Sequence, residues 1–138
     1  MFAPYKTAAA SYRALDVQTM VDAADPHRLV EMLYDGAIMQ VAKARFALAK
    51  QEIAAKGEAT TRAIRIIDEG LKASLDVRGG DVARNLDALY DYMSRTLVCA
   101  NLKNSDAQYG EVEKLLGGLL GAWREIAPKV RSGETAAA

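Results

Sequence analysis

Residues 25–48 read DPHRLVEMLYDGAIMQVAKARFAL, and this stretch predicts the first long helix. Asp25 can accept hydrogen bonds from the free N–H groups of a first helical turn, and Pro26 stands where no N–H is needed. Apolar side chains then recur at helical spacing. The stripe that we expect to face a core is Leu29, Leu33, Ala37, Val41, Ala44 and Leu48. We expect the helix to end between residues 51 and 56, because Gly57 interrupts the pattern.

Three further helices are predicted, over about residues 58–77, 81–103 and 106–127. Turn signals separate them: the pair Gly79-Gly80, a capping Asp81, Asn104-Ser105-Asp106 and finally Pro128. No segment shows the alternating, β-branched pattern of a strand. Short connections favour antiparallel neighbours, so the predicted fold is all-α, an antiparallel up-down four-helix bundle.

The bundle is expected over residues 25–131, with a separate segment on either side. Residues 1–24 are predicted to add a short helical or extended segment, and residues 132–138 a disordered tail. In the first segment Tyr5, Tyr12 and Leu15 share one face at helical spacing. A chain of 138 residues fits one such domain with one core.

Composition favours a cytoplasmic protein. Apolar residues make up 51% of the chain, and 18 basic residues balance 18 acidic ones. A net charge of zero argues against nucleic-acid binding, which needs a basic excess. The single cysteine excludes an internal disulfide. The N-terminus lacks a signal-peptide pattern, and no stretch approaches the ~20 apolar residues of a membrane span, so we expect no membrane insertion.

The sequence offers few residues that could form a catalytic, metal or phosphate-binding site. His27 is the one histidine and Cys99 the one cysteine, and nothing in the predicted fold brings them together. One histidine cannot supply a di-iron bundle site, and Gly79-Gly80 lacks the context of a phosphate loop. We therefore predict a protein that is not an enzyme and has no metal or cofactor. His27 is expected to be a surface residue at the helix start, and Cys99 a partly buried one.

The first helix carries more apolar surface than one core requires. Met32, Met39 and Phe46 recur at seven-residue spacing, away from the core stripe. They could pack against the other neighbour in the bundle. Alternatively, they could line a groove for a partner or for the N-terminal segment, a use that suits flexible methionine side chains.

The third and fourth helices also carry apolar residues outside their core stripes. The predicted stripes are Val82, Leu86, Leu89, Met93, Leu97 and Ala100 on the third, and Val112, Leu116, Leu119, Trp123 and Ile126 on the fourth. Tyr90 flanks the third stripe, and Val98 and Leu102 point away from it. Gly117, Gly118 and Gly121 face away from the fourth stripe, which indicates a pliable helix or close approach of another backbone.

Three ordered blocks resemble one known family. Residues 26–38, PHRLVEMLYDGAI, resemble its P-x-x-L-I-x-M-L-Y-D-G-A-I signature. Gly79-Gly80 with residues 83–93, ARNLDALYDYM, and Ala100-Asn101 resembles the second block, and residues 111–123, EVEKLLGGLLGAW, resemble the third. Together they resemble the flagellar secretion chaperone FliS family, over about residues 12–123. The family's usual T-A-S-P is replaced here by a stretch ending in Asp25-Pro26, and Asp is an equivalent cap.

The resemblance implies a cytosolic chaperone that binds the disordered C-terminal segment of flagellin. Such binding prevents premature polymerisation and aids delivery to the flagellar type III export apparatus. Other flagellar regulatory proteins and a homodimer are further partners that it allows. The candidate flagellin contacts are Met32, Met39, Phe46, Tyr90, Val98 and Leu102. The family also implies that Tyr5, Tyr12 and Leu15 belong to a lid that the client displaces.

One alternative function uses the same surfaces. A structural or regulatory helical bundle would bind folded partners, or itself, through the extra apolar residues. A bundle enzyme or metal protein has no residue constellation to support it.

Overall fold

The computed structural model describes residues 25–132, and within them it contains four α-helices and no strand. Helix α1 spans Pro26–Ala49, α2 Ile53–Arg65, α3 Gly80–Lys103 and α4 Asp106–Ser132. A π-helical segment, Ile66–Lys72, continues α2, and a 3-10 turn, Val77–Gly79, precedes α3. The all-α bundle prediction is confirmed. The predicted N-terminal helical or extended segment, its lid residues and the last six residues of the tail lie outside the described range.

Each helix packs against its two neighbours in chain order, so the bundle closes with α4 beside α1. The core consists mainly of small and medium side chains on α1 and α2 and of larger ones on α3 and α4. Its buried members include Ala37, Val41, Ala44, Ala59, Ala63, Ile67, Leu71, Met93, Leu97, Tyr109, Val112 and Leu116. Alanines on α1 and α2 allow these two helices to pack closely.

Helix α1 begins as predicted and ends earlier. The Asp25 carboxylate accepts a hydrogen bond from the backbone N–H of Arg28 at 2.8 Å. The chain turns at Gln51, whose φ is 61°. Gly57 lies inside α2, so the prediction that it interrupts the helix is wrong. A helical glycine costs about 1 kcal/mol relative to alanine, which the buried face of α2 offsets.

The other helix ends depart from prediction by a few residues. Helix α3 starts at Gly80, whose φ of 62° favours glycine, and Asp81 lies in its first turn instead of capping it. The Ser105 hydroxyl accepts from the backbone N–H of Gln108 at 3.2 Å, as a cap residue should. Helix α4 continues past the predicted end near residue 127 to Ser132, because Pro128 removes one N–H donor without ending the helix.

Two buried hydroxyl pairs join helices that lie diagonally across the bundle. The hydroxyls of Tyr34 on α1 and Tyr90 on α3 are 2.6 Å apart. The hydroxyl of Tyr109 on α4 lies 2.7 Å from Oγ1 of Thr60 on α2. Burial raises the pKa of all three tyrosines, so they remain neutral hydroxyls that can donate and accept.

Several predictions about burial are wrong. Val82 was expected in the core but is 68% exposed, because it lies in the first turn of α3, at the edge of an open depression that Trp123 of α4 also lines. Ile126 is also exposed. His27 was expected on the surface but is buried, since its ring stacks on Trp123 with centroids 4.3 Å apart. Cys99 is partly buried, as predicted.

Among the glycines of the described residues, Gly70 has the closest neighbour, and the sequence did not single out this position. A Cβ at Gly70, in the π-helical segment, would lie 2.9 Å from Cδ2 of Leu33. By contrast, a Cβ on Gly117, Gly118 or Gly121 of α4 would meet nothing within 4 Å. The outer face of α4 is therefore open within the described chain, and no backbone of this bundle approaches it.

Candidate functional site: the groove between α1 and α2

Two large apolar side chains lie about two helical turns apart on the same outer side of α1. Met39 is 56% exposed and Phe46 63% exposed, although both belong to a helix whose other side is fully buried. They line a groove of about 450 Å³ between α1 and α2. The alternative in which Met39 and Phe46 pack against a neighbouring helix is therefore wrong for these two residues.

The α1–α2 groove has an apolar floor and a charged rim. Its lining comprises Met39, Ala42, Lys43, Phe46 and Ala47 on α1, and Glu52, Ala55, Glu58, Ala59 and Arg62 at the start of and along α2. The alanines keep the floor low, so that the side chains or backbone of a bound segment can come close. Two basic and two acidic groups stand at the edges, where they can contact the polar side of a bound helix.

Phe46 has a polar neighbour at the end of the α1–α2 groove. The Lys50 ammonium nitrogen lies 4.8 Å from the centroid of the Phe46 ring, within cation–π distance. At this exposed site the contact contributes about 0.5–1 kcal/mol. It restrains the ring without covering its other face.

The opposite side of α1 is closed by charged and aromatic contacts with α4. The Arg45 guanidinium donates to Asp106 at 2.8 Å and to Glu113 at 2.6 Å. Arg124 donates to Glu31 at 2.7 Å. These ion pairs lower the pKa values of the Asp106 and Glu31 carboxyls and raise those of Arg45 and Arg124.

His27 and Trp123 join the first turn of α1 to the last part of α4. Trp123 Nε1 donates to the His27 carbonyl oxygen at 2.8 Å. In return, His27 Nε2 donates to the Trp123 carbonyl oxygen at 2.8 Å. His27 and Trp123 are thus joined by ring stacking and by two hydrogen bonds, in each of which the side chain of one residue donates to the backbone carbonyl of the other.

The structure brings together only some of the predicted contact residues. Met39 and Phe46 share the α1–α2 groove. Met32 is half-buried and is not among the residues that line it. Val98 and the 79% exposed Leu102 lie on α3, so that α2 stands between them and the groove.

Tyr90 does not belong to an exposed apolar surface. It is 2% exposed, and its hydroxyl is bonded to Tyr34 in the core. Its place beside the predicted stripe becomes a core position because its side chain reaches inward to Tyr34 on α1, the helix diagonally opposite α3. The predicted lid residues Tyr5, Tyr12 and Leu15 lie outside the described range.

No group of three or more histidine, cysteine, aspartate or glutamate side chains in residues 25–132 could hold a metal ion. Over the same residues no helix is both long enough and apolar enough to span a membrane.

Comparison with known proteins accounts for nearly the whole chain. The model of the flagellar protein FliS family matches residues 8–130. A Salmonella typhimurium relative named flagellar secretion chaperone FliS is 48% identical over 120 residues, 86% of this chain and 89% of the relative. This chain belongs to the FliS family. A Pseudomonas aeruginosa relative named flagellar secretion chaperone FliSB is 40% identical, and the Bacillus subtilis flagellar secretion chaperone FliS is 34% identical. These alignments cover 83% and 78% of this chain and 91% and 80% of the relatives.

The FliS match includes both walls of the α1–α2 groove. Sequence reasoning found its α1 wall, because Met39 and Phe46 stand out from the core stripe. It missed the α2 wall, where Ala55 and Ala59 are ordinary helix residues. It also missed Ile53, which is exposed at the start of α2. The one sequence feature that could have pointed to an exposed Ile53 is its position directly after the acidic Glu52.

Proposed function

We propose that this chain is a flagellar export chaperone whose α1–α2 groove binds the disordered C-terminal segment of flagellin in the cytosol. The observation that carries this proposal is the exposure of Met39 and Phe46 in one groove with an alanine floor. Membership of a family whose relatives are named flagellar secretion chaperones supports it.

The shape and chemistry of the groove suit an amphipathic helix. Bulky apolar side chains of the client would fill the low floor between Met39 and Phe46. The client's polar side would face Lys43, Glu58 and Arg62 at the rim. Methionine adapts to different partner side chains, which suits a site that must hold an unfolded segment.

Holding the client in this way would serve export. A flagellin segment that folds only on assembly has to bury its apolar residues somewhere beforehand, and the groove would cover them and prevent premature polymerisation. Ordering a disordered segment costs entropy, so the interface must be extended for useful affinity. The proposed chaperone would then deliver its client to the flagellar type III export apparatus.

Removing the two exposed side chains tests the proposal. Titration calorimetry would measure the Kd for a flagellin C-terminal peptide with the wild-type chain and with the Met39→Ser, Phe46→Ser double variant. Fully burying one such side chain contributes about 1.5–3 kcal/mol, and both are partly covered already, so Kd should rise by at least about tenfold. The matched control is Val82→Ser, which removes an exposed apolar residue elsewhere and should leave Kd unchanged.

A second variant fills the groove without removing a contact. Ala55→Gln places a longer side chain on the groove floor from α2 and should also weaken binding. Full affinity in both groove variants would remove the groove assignment. The alternative of a structural or regulatory bundle would be favoured by a different result. In that case the wild-type chain would give no binding heat with the flagellin peptide and would self-associate on a sizing column. The lid prediction for Tyr5, Tyr12 and Leu15 stays a prediction.

A further inference from the structure

A pocket of about 240 Å³ lies at one end of the bundle, where α1 and α3 begin and α4 approaches its end, and we call it the end pocket. Its apolar walls include Val30 of α1, Leu75 of the connection before α3, Val82 and Leu86 of α3, and Trp123 of α4. Within the described chain, the residues that line the end pocket and those that line the α1–α2 groove have no member in common. The end pocket is therefore distinct from the α1–α2 groove.

Two buried tyrosines complete the lining of the end pocket. Tyr34 and Tyr90 are each 2% exposed, and their hydroxyl oxygens are 2.6 Å apart. In such a pair one hydroxyl donates its hydrogen to the other, and the accepting hydroxyl keeps a hydrogen of its own. No residue of the range 25–132 accepts that second hydrogen. One O–H donor among the lining residues is thus left without an acceptor.

The other buried hydroxyl pair shows a complete arrangement. The hydroxyl of Tyr109 lies 2.7 Å from Thr60 Oγ1, and Thr60 Oγ1 donates to the backbone oxygen of Lys56 at 2.7 Å. Tyr109 therefore donates to Thr60, and both hydrogens of that pair have an acceptor. A buried O–H without a partner is unfavourable, so an acceptor bound in the end pocket would complete the Tyr34–Tyr90 pair in the same way.

The walls and the volume of the end pocket restrict the ligand that fits it. Burial raises the pKa of both Tyr34 and Tyr90, so their hydroxyls stay protonated and can donate. Apolar walls disfavour a charged ligand, and none of the described lining residues is basic, so an anion would find no ion pair. The one acid among them, Asp76, already accepts three hydrogen bonds from Arg78. The ligand is therefore expected to be neutral.

The size of the ligand follows from the same volume. An apolar cavity of about 150 Å³ holds a benzene molecule. A pocket of about 240 Å³ therefore has room for up to about ten non-hydrogen atoms.

We propose that the end pocket binds a small neutral molecule with a compact apolar body and one carbonyl oxygen. The oxygen would accept the hydrogen that the hydroxyls of Tyr34 and Tyr90 leave unpaired, and the apolar body would contact Leu75, Leu86 and Trp123. Because α1, α3 and α4 all contribute to the walls, the ligand would join three helices and stabilise the folded chain by mass action. The proposal does not depend on flagellin binding.

The test uses three probes that share one isobutyl body. Methyl isobutyl ketone is a neutral acceptor, isovalerate is an anion, and isopentylammonium is a cation without an acceptor. Each probe is titrated into the isotope-labelled full chain, and the indole N–H resonance of Trp123, the one tryptophan of the chain, reports on the end pocket. The ketone should bind at least about tenfold more tightly than either ion and should raise the melting temperature. Equal binding of the three probes, or no binding of the ketone, would overturn the proposal.

Variants make the test specific to the end pocket. Ala83→Leu fills the pocket from α3 and should abolish ketone binding, whereas Ala88→Leu, at an exposed alanine of the same helix, should leave it unchanged. Tyr34→Phe with Tyr90→Phe removes both hydroxyls and should weaken ketone binding about threefold to tenfold. At least one of the two single changes should keep the wild-type affinity, because the remaining hydroxyl still carries a free hydrogen. Circular dichroism would establish that each variant is folded, and unchanged ketone affinity in folded Ala83→Leu would exclude the pocket.

Two further measurements distinguish other occupants. Met39→Ser with Phe46→Ser should leave ketone binding unchanged, and its loss would place the ketone in the α1–α2 groove instead. A flagellin C-terminal peptide should not displace the ketone, since displacement would make the end pocket part of the client's site. A crystal structure grown with the ketone that shows only a water molecule at the two tyrosine hydroxyls would also contradict the proposal.

Discussion

The two flanks of helix α1 differ in what completes them. Toward α4, the contact between the two helices, which we call the α1–α4 seam, is closed by hydrogen bonds within the chain. These are made by Arg45 and by the stacked pair of His27 and Trp123. Toward α2, the helices also pack closely, yet Met39 and Phe46 remain exposed above the contact. One flank satisfies its residues internally, and the other leaves apolar surface that no other residue of the described range 25–132 covers.

The difference shows how the bundle can be stable and still hold a binding surface. The α4 flank and the core supply stability, so the exposed residues of the α1–α2 groove need not contribute to it. Substitutions on the two flanks should therefore separate folding from binding. The predictions below run from the largest expected change in the free energy of unfolding to the smallest.

Trp123→Ala should give the largest loss. It removes the stacked ring and the Nε1 hydrogen bond to His27, and large core truncations of this kind cost about 3 kcal/mol or more. Urea denaturation would measure the loss. The control Ile126→Ala, on the exposed side of the same helix, should cost much less. Equal losses would mean that the seam does not hold the ends of α1 and α4 together.

The buried tyrosine pair should show strong coupling. Tyr34→Phe or Tyr90→Phe alone leaves one buried hydroxyl without its partner and should cost about 1–2 kcal/mol. The double variant removes both hydroxyls, so its loss should be smaller than the sum of the single losses. A thermodynamic cycle from four urea curves would measure the coupling. Additive losses would indicate that the two hydroxyls do not depend on each other.

Arg45→Ala should reduce stability by about 1 kcal/mol or less, because its ion pairs are partly exposed and screened. The same change should alter the pH dependence. Arg45 lowers the pKa of Asp106 below its ordinary 3.8, so this pair stabilises the fold above about pH 4 and is lost as pH falls through the lowered pKa. Thermal unfolding between acid and neutral pH would show a shallower acid loss in the variant than in the wild-type chain.

Met39→Ser with Phe46→Ser should change stability least, by no more than about 0.5 kcal/mol, because both side chains are exposed. The melting temperature from circular dichroism would check this. A large drop would mean that the groove residues support the fold, and the contrast between the two flanks of α1 would fail.

Local signals predicted much of the fold. The cap at Asp25, the helix starts near residues 80 and 106 and the helical periodicity all depend on residues close in sequence, and all were recovered. The π-helical segment and the close approach of Gly70 to Leu33 were not predicted. They arise where α2 has to fit against α1, and no local pattern carries that information.

The candidate site was also predicted only in part. Periodicity identified Met39 and Phe46 as apolar residues outside the core stripe, and their exposure is confirmed. The same reasoning placed Tyr90 on a surface and Val82 in the core, and both placements were wrong. Position around one helix does not specify how far along that helix its neighbours extend.

The sequence by itself determined four helices, most of their core stripes and more apolar surface than one core requires. Only the tertiary structure decided which of those extra residues stay uncovered and which of them meet in one groove. The physical reason is that helix periodicity is set by hydrogen bonds between residues four apart. Burial is set by contacts between residues distant in the chain, such as His27 with Trp123 and Tyr34 with Tyr90.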